Sequence, residues 1–488
     1  MNRVLTPAFV LAIIFATAQD VKLTFGPVTK GSYTRPFFNN TLKTGYIVNA
    51  AGEKISITPL EGYLKPGTSK TVTAETLTVN NAYLEGTMVV NGKNYLIYSL
   101  IDKKSDVITV YSQELSANMV LLGSAIKIAT FKGAKSSTGV IVIGQGMLRL
   151  TEITIVKPQS QDHIVMVKER DHAIEMKAFS PEKEELWSKT FQLDKDLTYR
   201  LKNIRVAENG NVYILGTYYK GNLMNDPTMK DPFLIAYAPT TKTEKIHTIS
   251  SGDKINDMGF ALEFLNDETP VLAGLFYEKG KTEISYQILK VNTTTLQLEK
   301  MTAILIAKEY SDIMFKRAYD PKYFSVENIA QLENGNIVFS VDGGLVSSGK
   351  YSSTTWGAAA YVVAVNSAGI EQWNTIINKY QVTPYSSALI GHTFFIRGNN
   401  VYLMYNDNSE NFDLSPAEKP KENLLKKKMY VCTIEIDETG KATKLKLVTT
   451  KKEQISWFSP ATTTRIEKGL YHFKFYIGET SKYATFSN

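Results

Sequence analysis

The chain has 488 residues, with 55 Lys and Arg against 48 Asp and Glu, so its formal charge of +7 is spread thinly over a long sequence. The tight basic run Lys426, Lys427 and Lys428 lies against a predicted strand without interleaved aromatics, which suits a solvated loop edge and excludes a nucleic-acid footprint. One cysteine permits no internal disulfide, so the fold must rest on a large core, which a hydrophobic content of 43% can supply.

The first residues, "MNRVLTPAFVLAIIFATAQD", place Arg3 before an apolar run from Val4 to Phe15 that ends in Ala16, Thr17 and Ala18. This is the pattern of a signal peptide over residues 1–18, cleaved before Gln19. The run is shorter than the roughly 20 apolar residues a spanning helix needs. No later segment approaches that length either; the longest, "AAAYVVAV" from Ala358, suits a buried strand. The mature chain is expected to be exported to the periplasm or beyond, without a membrane span, as a monomer.

Along the mature chain the recurrent unit is strand, turn, strand. "DVKLTFGPV" from Asp20 reads as a first strand, and "IVNAAGEKISIT" from Ile47 as a hairpin about Gly52. "FSPEKEELWSKTF" from Phe179 and "YVVAVNSAGIEQWNTII" from Tyr361 have the same outline. Two segments match without gaps at an offset of 125 residues: "NIRVAENGNVYILGTYY" from Asn203 and "NIAQLENGNIVFSVDGG" from Asn328. Each holds an Asn-Gly turn between apolar runs, a strong hairpin signal. "FLNDETPVLAGLFY" from Phe264 is a degraded copy between them, so 125 residues span two units.

Second strands of successive units begin 48 to 70 residues apart, near Asn94, His163, Asn211, Pro270, Asn336, Asn400 and Leu470. A rigid solenoid needs matching layers, whereas propeller blades tolerate variable loops. The predicted fold is therefore all-β, a β-propeller of about seven four-stranded blades, with six or eight also compatible because Leu115 to Thr151 does not divide cleanly. Helical period is almost absent. Residues 19–90 read as an N-terminal β segment, part of the propeller or appended to it, and 91–488 as the propeller. After Thr464 only three strands remain, "TRIEKG", "LYHFKFYIG" and "KYATFSN", and the strand from Asp20 is expected to supply the fourth and close the ring.

Catalysis needs convergent groups, and few are visible. Five histidines include two Asp-His pairs, Asp162 with His163 and Asp171 with His172, but a hairpin sets these several residues apart along the strand, too far for one metal. Gly144 and Gly146 follow a strand, yet Arg149 replaces the third glycine of a dinucleotide fingerprint and β-branched residues follow instead of a helix. "SSGK", Ser347 to Lys350, lacks the helix its motif requires. The oxygen-rich "NDNSENFD" offers Asp407 and Asp413 as weak metal candidates, although Phe412 stands where an EF-hand loop requires glycine. Cys432 shares a strand face with Tyr430 and Ile434 and reads as a buried small hydrophobe. No catalytic residue and no cofactor is assigned.

The strands "ENGNVYILGTYY" and "AYVVAVNSAGIEQW", with "YSSALIGHTFFIRGNNVYLMYND", resemble a group of uncharacterised secreted β-propeller-like proteins of Bacteroidota-type bacteria. The resemblance covers roughly residues 160 to 410 and rests on Asn209, Gly210, Asn366, Gly369, Trp373, Tyr385, Ser386, Ser387, Asn406 and Asp407. The group carries no assigned activity, so the resemblance implies a fold and an exported setting only.

In a blade with strands A to D, the B to C loop and the connection from D to the next A leave one face of the disc. Here three B to C segments are long, Tyr218 to Pro232, Asp342 to Ala358 and Asn406 to Lys428, as are the neighbouring D to A connections from Lys308, Asn378 and Lys451. They are rich in aromatics, with Tyr219, Tyr319, Tyr351, Trp356, Tyr380, Phe412 and Trp457 as candidate binding residues. The expected function is non-enzymatic binding of a peptide, glycan or envelope protein through this face; the alternatives are a propeller-type carbohydrate hydrolase and a structural envelope component. Export is directly testable: mass spectrometry of the secreted protein should find Gln19 at the N-terminus, and recovery of intact Met1 would contradict it.

Overall fold

The computed structural model describes residues 23–487 except 31–36, 74–81, 134–140, 221–227, 251–258, 278–282, 319–323, 384–389, 422–428, 450–456 and shorter stretches of up to four residues. The chain folds into an eight-bladed β-propeller closed by its first strand. The unit beyond the expected seven is built by strands Phe37–Asn39, Thr44–Ala51, Lys54–Glu61, Lys65–Pro66 and Lys70–Thr73, which form blade 1. Blade 2 runs from Ala82 to Lys132, blade 3 from Thr154 to Gln192, blade 4 from Thr198 to Thr248 and blade 5 from Ala261 to Leu305. Blade 6 begins at Phe324, blade 7 at Thr393 and blade 8 at Trp457. The stretch that resisted division holds a separate two-stranded hairpin, Ile141–Ile143 with Gly146–Leu148.

Each blade is a meander whose first strand lies nearest the axis. Neighbouring first strands approach one another, and Gly259 bridges Ser325 in parallel between blades 5 and 6. Side-chain alternation follows from this stacking. A middle strand is covered on both sheet faces by adjacent blades, so Pro270–Tyr277 is buried at all eight positions. An outer strand is covered less completely, and Thr243–Thr248 alternates between exposed and half-buried residues. The core consequently divides into clusters at the seams, such as Ile288 and Tyr286 against Phe339 and Val363 between blades 5 and 6.

The Asn-Gly turns recur as expected. Gly210 and Gly335 take φ of +82° and +85°, a left-handed conformation that costs glycine little. Asn209 Oδ1 and Asn334 Oδ1 each accept a bond of 3.0 Å from the backbone N–H two residues on. The two matched segments fall in blades 4 and 6 with the degraded copy in blade 5, so the 125-residue offset is two blades.

Blade 8 is completed across the termini. Thr464–Glu467 and Trp457–Phe458 pair with Leu470–Ile477, which pairs with Thr480–Ser487, and Thr24–Lys30 forms the outermost strand. The register slips between Phe25 and Val28, where Pro27 has no N–H to give the ladder. The seam between blades 8 and 1 buries polar groups beside a small apolar cluster. Its apolar cluster is Ile47, Leu60 and Tyr483, flanked by fully buried His472 and Lys474. Burial drives the His472 imidazole down to about 3 and the Lys474 ammonium down to about 8. Lys474 Nζ lies 5.0 Å from the Tyr476 ring centre, and finds no hydrogen-bond partner among the described residues.

A helix was not expected, yet Lys308–Ala318 forms one in the connection from blade 5 to blade 6. Tyr310 and Ile313 seat it against the blade 5–6 core, Tyr310 lies 5.7 Å from Tyr361, and Lys308 pairs with Asp312 one turn on at 2.8 Å. Its apolar face is that narrow, which is why hydrophobic periodicity did not reveal it.

Candidate functional site

Among the described residues, two of the three B to C segments expected to be long loops are paired strand, whereas Asn406 to Lys428 leaves its strand after Asn408. In blade 4, Tyr219 pairs with Met229 and Lys220 with Thr228, so the hairpin continues through most of the span read as loop. In blade 6 the second and third strands, Ile337–Ser348 and Ser353–Val365, stay paired out to Ser348 and Ser353. Among the described residues the first strand accompanies them as far as Gly343. Gly344–Ser348 therefore extends about 16 Å past it at roughly 3.3 Å per residue. The connection to blade 7 adds a third strand to this extension, Gln381–Thr383, with Val382 opposite Trp356 and Gln381 opposite Gly357. Trp356 thus holds the central strand of a three-stranded flap, between Leu345 and Val382.

Beneath the flap lies a buried polar network. Lys379 Nζ donates to Asp342 Oδ1 at 2.7 Å and Oδ2 at 2.9 Å, and to Gln381 Oε1 at 3.0 Å. His392 Nδ1 lies 2.9 Å from Asp342 Oδ2, and His392 Nε2 lies 2.9 Å from Ser340 Oγ. Gln381 Nε2 donates to the Asn406 carbonyl at 3.0 Å. Asn406 then brackets the Phe458 backbone, accepting from its N–H at 2.8 Å and donating to its carbonyl at 2.7 Å. Blades 6, 7 and 8 are linked in series.

Ser340, His392 and Asp342 have the connectivity of a nucleophile, base and orienting carboxylate. Access argues against that use. Ser340 is fully buried, its Oγ also accepts from Asn328 Nδ2 at 3.1 Å, and the His392 side chain is wholly covered. An acyl group has no approach to this serine, so the described geometry is that of an anchor. Nothing in the sequence separated these residues from ordinary ones: Ser340 and Asp342 differ by one strand repeat, and His392 stands 50 residues from Asp342.

The remaining candidates are dispersed. Tyr219 is 9% exposed, its ring largely inside blade 4. Phe412 is half-buried edge-on against Tyr430 at 6.0 Å. Tyr380 is half-buried at the start of the flap's third strand, and Trp457 is half-buried opposite Tyr476 in blade 8. Tyr319 and Tyr351 lie outside the described residues, as do Tyr385, Ser386, Ser387 and the Lys426–Lys428 run. Among the described candidates, Trp356 and Tyr380 come to one flap, while Tyr219, Phe412 and Trp457 lie in blades 4, 7 and 8.

The oxygen-rich segment is consumed internally. Asn408 caps the short 3-10 turn Ser409–Asn411, and buried Asn411 donates to Asp407 Oδ1 at 2.8 Å and accepts from Lys421 N at 2.7 Å. Asp413 is exposed while Asp407 is buried, and among the described residues no group of three His, Cys, Asp or Glu side chains is placed to hold a metal. Cys432 is buried in the blade 6–7 core, where burial pushes its thiol up to about 12.

No protein-family profile matches this chain, and no curated protein sequence does. Solved structures share the propeller architecture. The Dos1 propeller aligns over 96% of this chain and 95% of its own at 7% identity and a TM-score of 0.45. The propeller domain of the trilobed protease of Pyrococcus furiosus covers 87% of this chain and 96% of its own, at 9% identity and 0.34. An ulvan lyase covers 88% and 99%, at 9% and 0.39. Such likenesses speak to fold alone.

The two aspartates have opposite pH signatures. Burial alone would raise the Asp342 carboxyl, but the charges of Lys379 and His392 hold it below the usual range. Its contribution to stability is present above the unfolded pKa of about 3.9 and is lost as pH falls through the folded value. Burial outweighs the bonds from Asn411 and the Asn408 N–H at Asp407 and lifts that carboxyl to about 6. Folded Asp407 holds its proton more tightly than unfolded, so stability declines as pH rises from about 4 to about 6. Denaturant titrations should show this decline, on the order of 2 kcal/mol, disappearing in Asp407→Asn, and an unchanged slope would contradict the assignment.

Proposed function

We propose that this protein is an exported, non-enzymatic binding propeller that engages a peptide, a glycan or an envelope protein through the face carrying the blade 6 flap. The observation that carries the reading is the three-stranded extension itself. Among the described residues it continues past the first strand of its blade and gains a third strand from the connection to blade 7. A flap with Trp356 in its central strand and a charged, solvent-excluded anchor below is a stiff platform, which lowers the ordering cost of recognition. The helix Lys308–Ala318 borders the same face and contacts the strand that carries Trp356.

Binding is favoured over carbohydrate turnover by the state of the acids described here. A glycosidase needs two accessible carboxyl groups across the scissile bond. Asp342 is buried and paired with Lys379, and Asp407 is buried with Asn411. Export rests on the leader-like first 18 residues.

Glycan and peptide arrays probed with the mature protein test this directly. The double variant Trp356→Ala with Tyr380→Ala should lose at least about tenfold in affinity for any captured ligand, while Ile370→Ser in an exposed turn of the opposite face leaves it unchanged. Equal losses in both variants, loss only through a lowered melting temperature, or hydrolysis abolished by a single Asp or Glu substitution would each overturn the proposal.

A further inference from the structure

A second recognition site lies on the opposite face, where the A to B and C to D turns emerge. Between blades 3 and 4 an open groove of about 740 Å³ is lined on one side by Leu186, Trp187, Ser188 and Lys189. Its other side is formed by the two turns of blade 4, at Glu208 to Gly210 and Pro239 to Lys242.

Four consecutive residues of one strand cannot line a groove on a sheet face, because alternate side chains point to opposite faces. Trp187 and Lys189 face blade 4: Trp187 meets Tyr237 edge-on at 5.3 Å, and Lys189 Nζ lies 5.9 Å from the same ring. Leu186 lies in a β-bulge and is 54% exposed, and exposed Ser188 stands between Trp187 and Lys189 on the other face. A groove touching both sets must run along the strand's edge. That strand, Glu185–Gln192, is the outermost of blade 3 and pairs with Ala173–Phe179 alone, so its other edge presents unpaired backbone donors and acceptors.

The chemistry at the end of the groove is specific. His163 borders the groove but is about nine-tenths buried, with Nδ1 2.6 Å from Asp162 Oδ1 and Nε2 covered and without a hydrogen-bond partner among the described residues. Lys242 carries a charge with no ion-pair partner among the described residues, whereas Lys189 is paired with Glu244. Glu208 is the acidic residue of the lining, set against these two lysines.

We propose that this groove takes an extended peptide, added as a fifth strand to blade 3, in which apolar and acidic residues alternate. Main-chain bonds to the Glu185–Gln192 edge supply the ladder. Side chains on one face of the added strand cover Leu186, and those on the other lie toward Trp187, with an acidic residue reaching Lys242. This site is distinct from the flap and does not depend on it.

Selection of a random decapeptide library on the immobilised mature protein tests the proposal. Alternating apolar and acidic sequences should be enriched, and Lys242→Glu should exchange the acidic preference for a basic one, a change that misfolding cannot imitate. Methylating alternate backbone nitrogens of an enriched peptide, on the edge-facing register, should weaken binding at least tenfold, as should Leu186→Lys. The proposal is overturned if no alternating sequence is enriched, if both variants select as the parent does, or if the methylated peptide binds unchanged. It is equally overturned if the groove ignores peptides and instead binds a sulfated hexasaccharide through Lys242.

Discussion

A propeller blade is apolar on both faces, so it is stable only between two neighbours, and the last seam of the ring must form as well as the first. In this protein the middle strands are buried at nearly every position, and only closure of the ring provides that cover for blades 1 and 8. The closing seam also buries polar groups. Lys474 and neutral His472 occupy ground where other seams place Phe, Ile and Val. Burying a lysine with no hydrogen-bond partner costs stability. Backbone hydrogen bonding of Thr24–Lys30 along Thr480–Ser487 joins the first and last described strands within blade 8.

The Asp342 network solves a different problem on the same ring. A connection that leaves one blade and enters the next has no ladder of its own, and here side chains take its place. Lys379, Gln381 and His392 lie in the connection itself, and through Asp342, Asn406 and the Phe458 backbone they tie it to three blades. Breaking such a pair by Lys379 substitution would leave buried Asp342 with His392 alone as its charged partner, a loss of up to about 3 to 5 kcal/mol, beyond what an exposed ion pair contributes. The flap stands on this base, which joins the stability of the fold to the proposed use of the face.

How much of this was legible in the sequence follows from the range of each signal. Turns are local: the Asn-Gly pairs at Asn209 and Asn334 specify hairpins by their own backbone preferences, and the structure has both. The three strands left at the C-terminus, set beside a strand at the start, foretold the closure. Blade 1 was read as a hairpin of uncertain place because its outer strands, Lys65–Pro66 and Lys70–Thr73, are too short to show a period. The flap was mistaken for loops because Gly343, Gly344 and a serine-rich stretch look like punctuation, although Gly343 is a strand residue lying close against the Phe324 ring. The Ser340, His392 and Asp342 cluster was invisible, being assembled from side chains that only the seam brings together.

Native-state hydrogen exchange measured by mass spectrometry tests the closed ring most directly. If Thr24–Lys30 completes blade 8, its amides share the protection of Leu470–Ile477 and Thr480–Ser487, and all three open together as denaturant is raised. Protection lost from Thr24–Lys30 well before the C-terminal strands, with the blade 8 and blade 1 amides unaffected, would contradict the account.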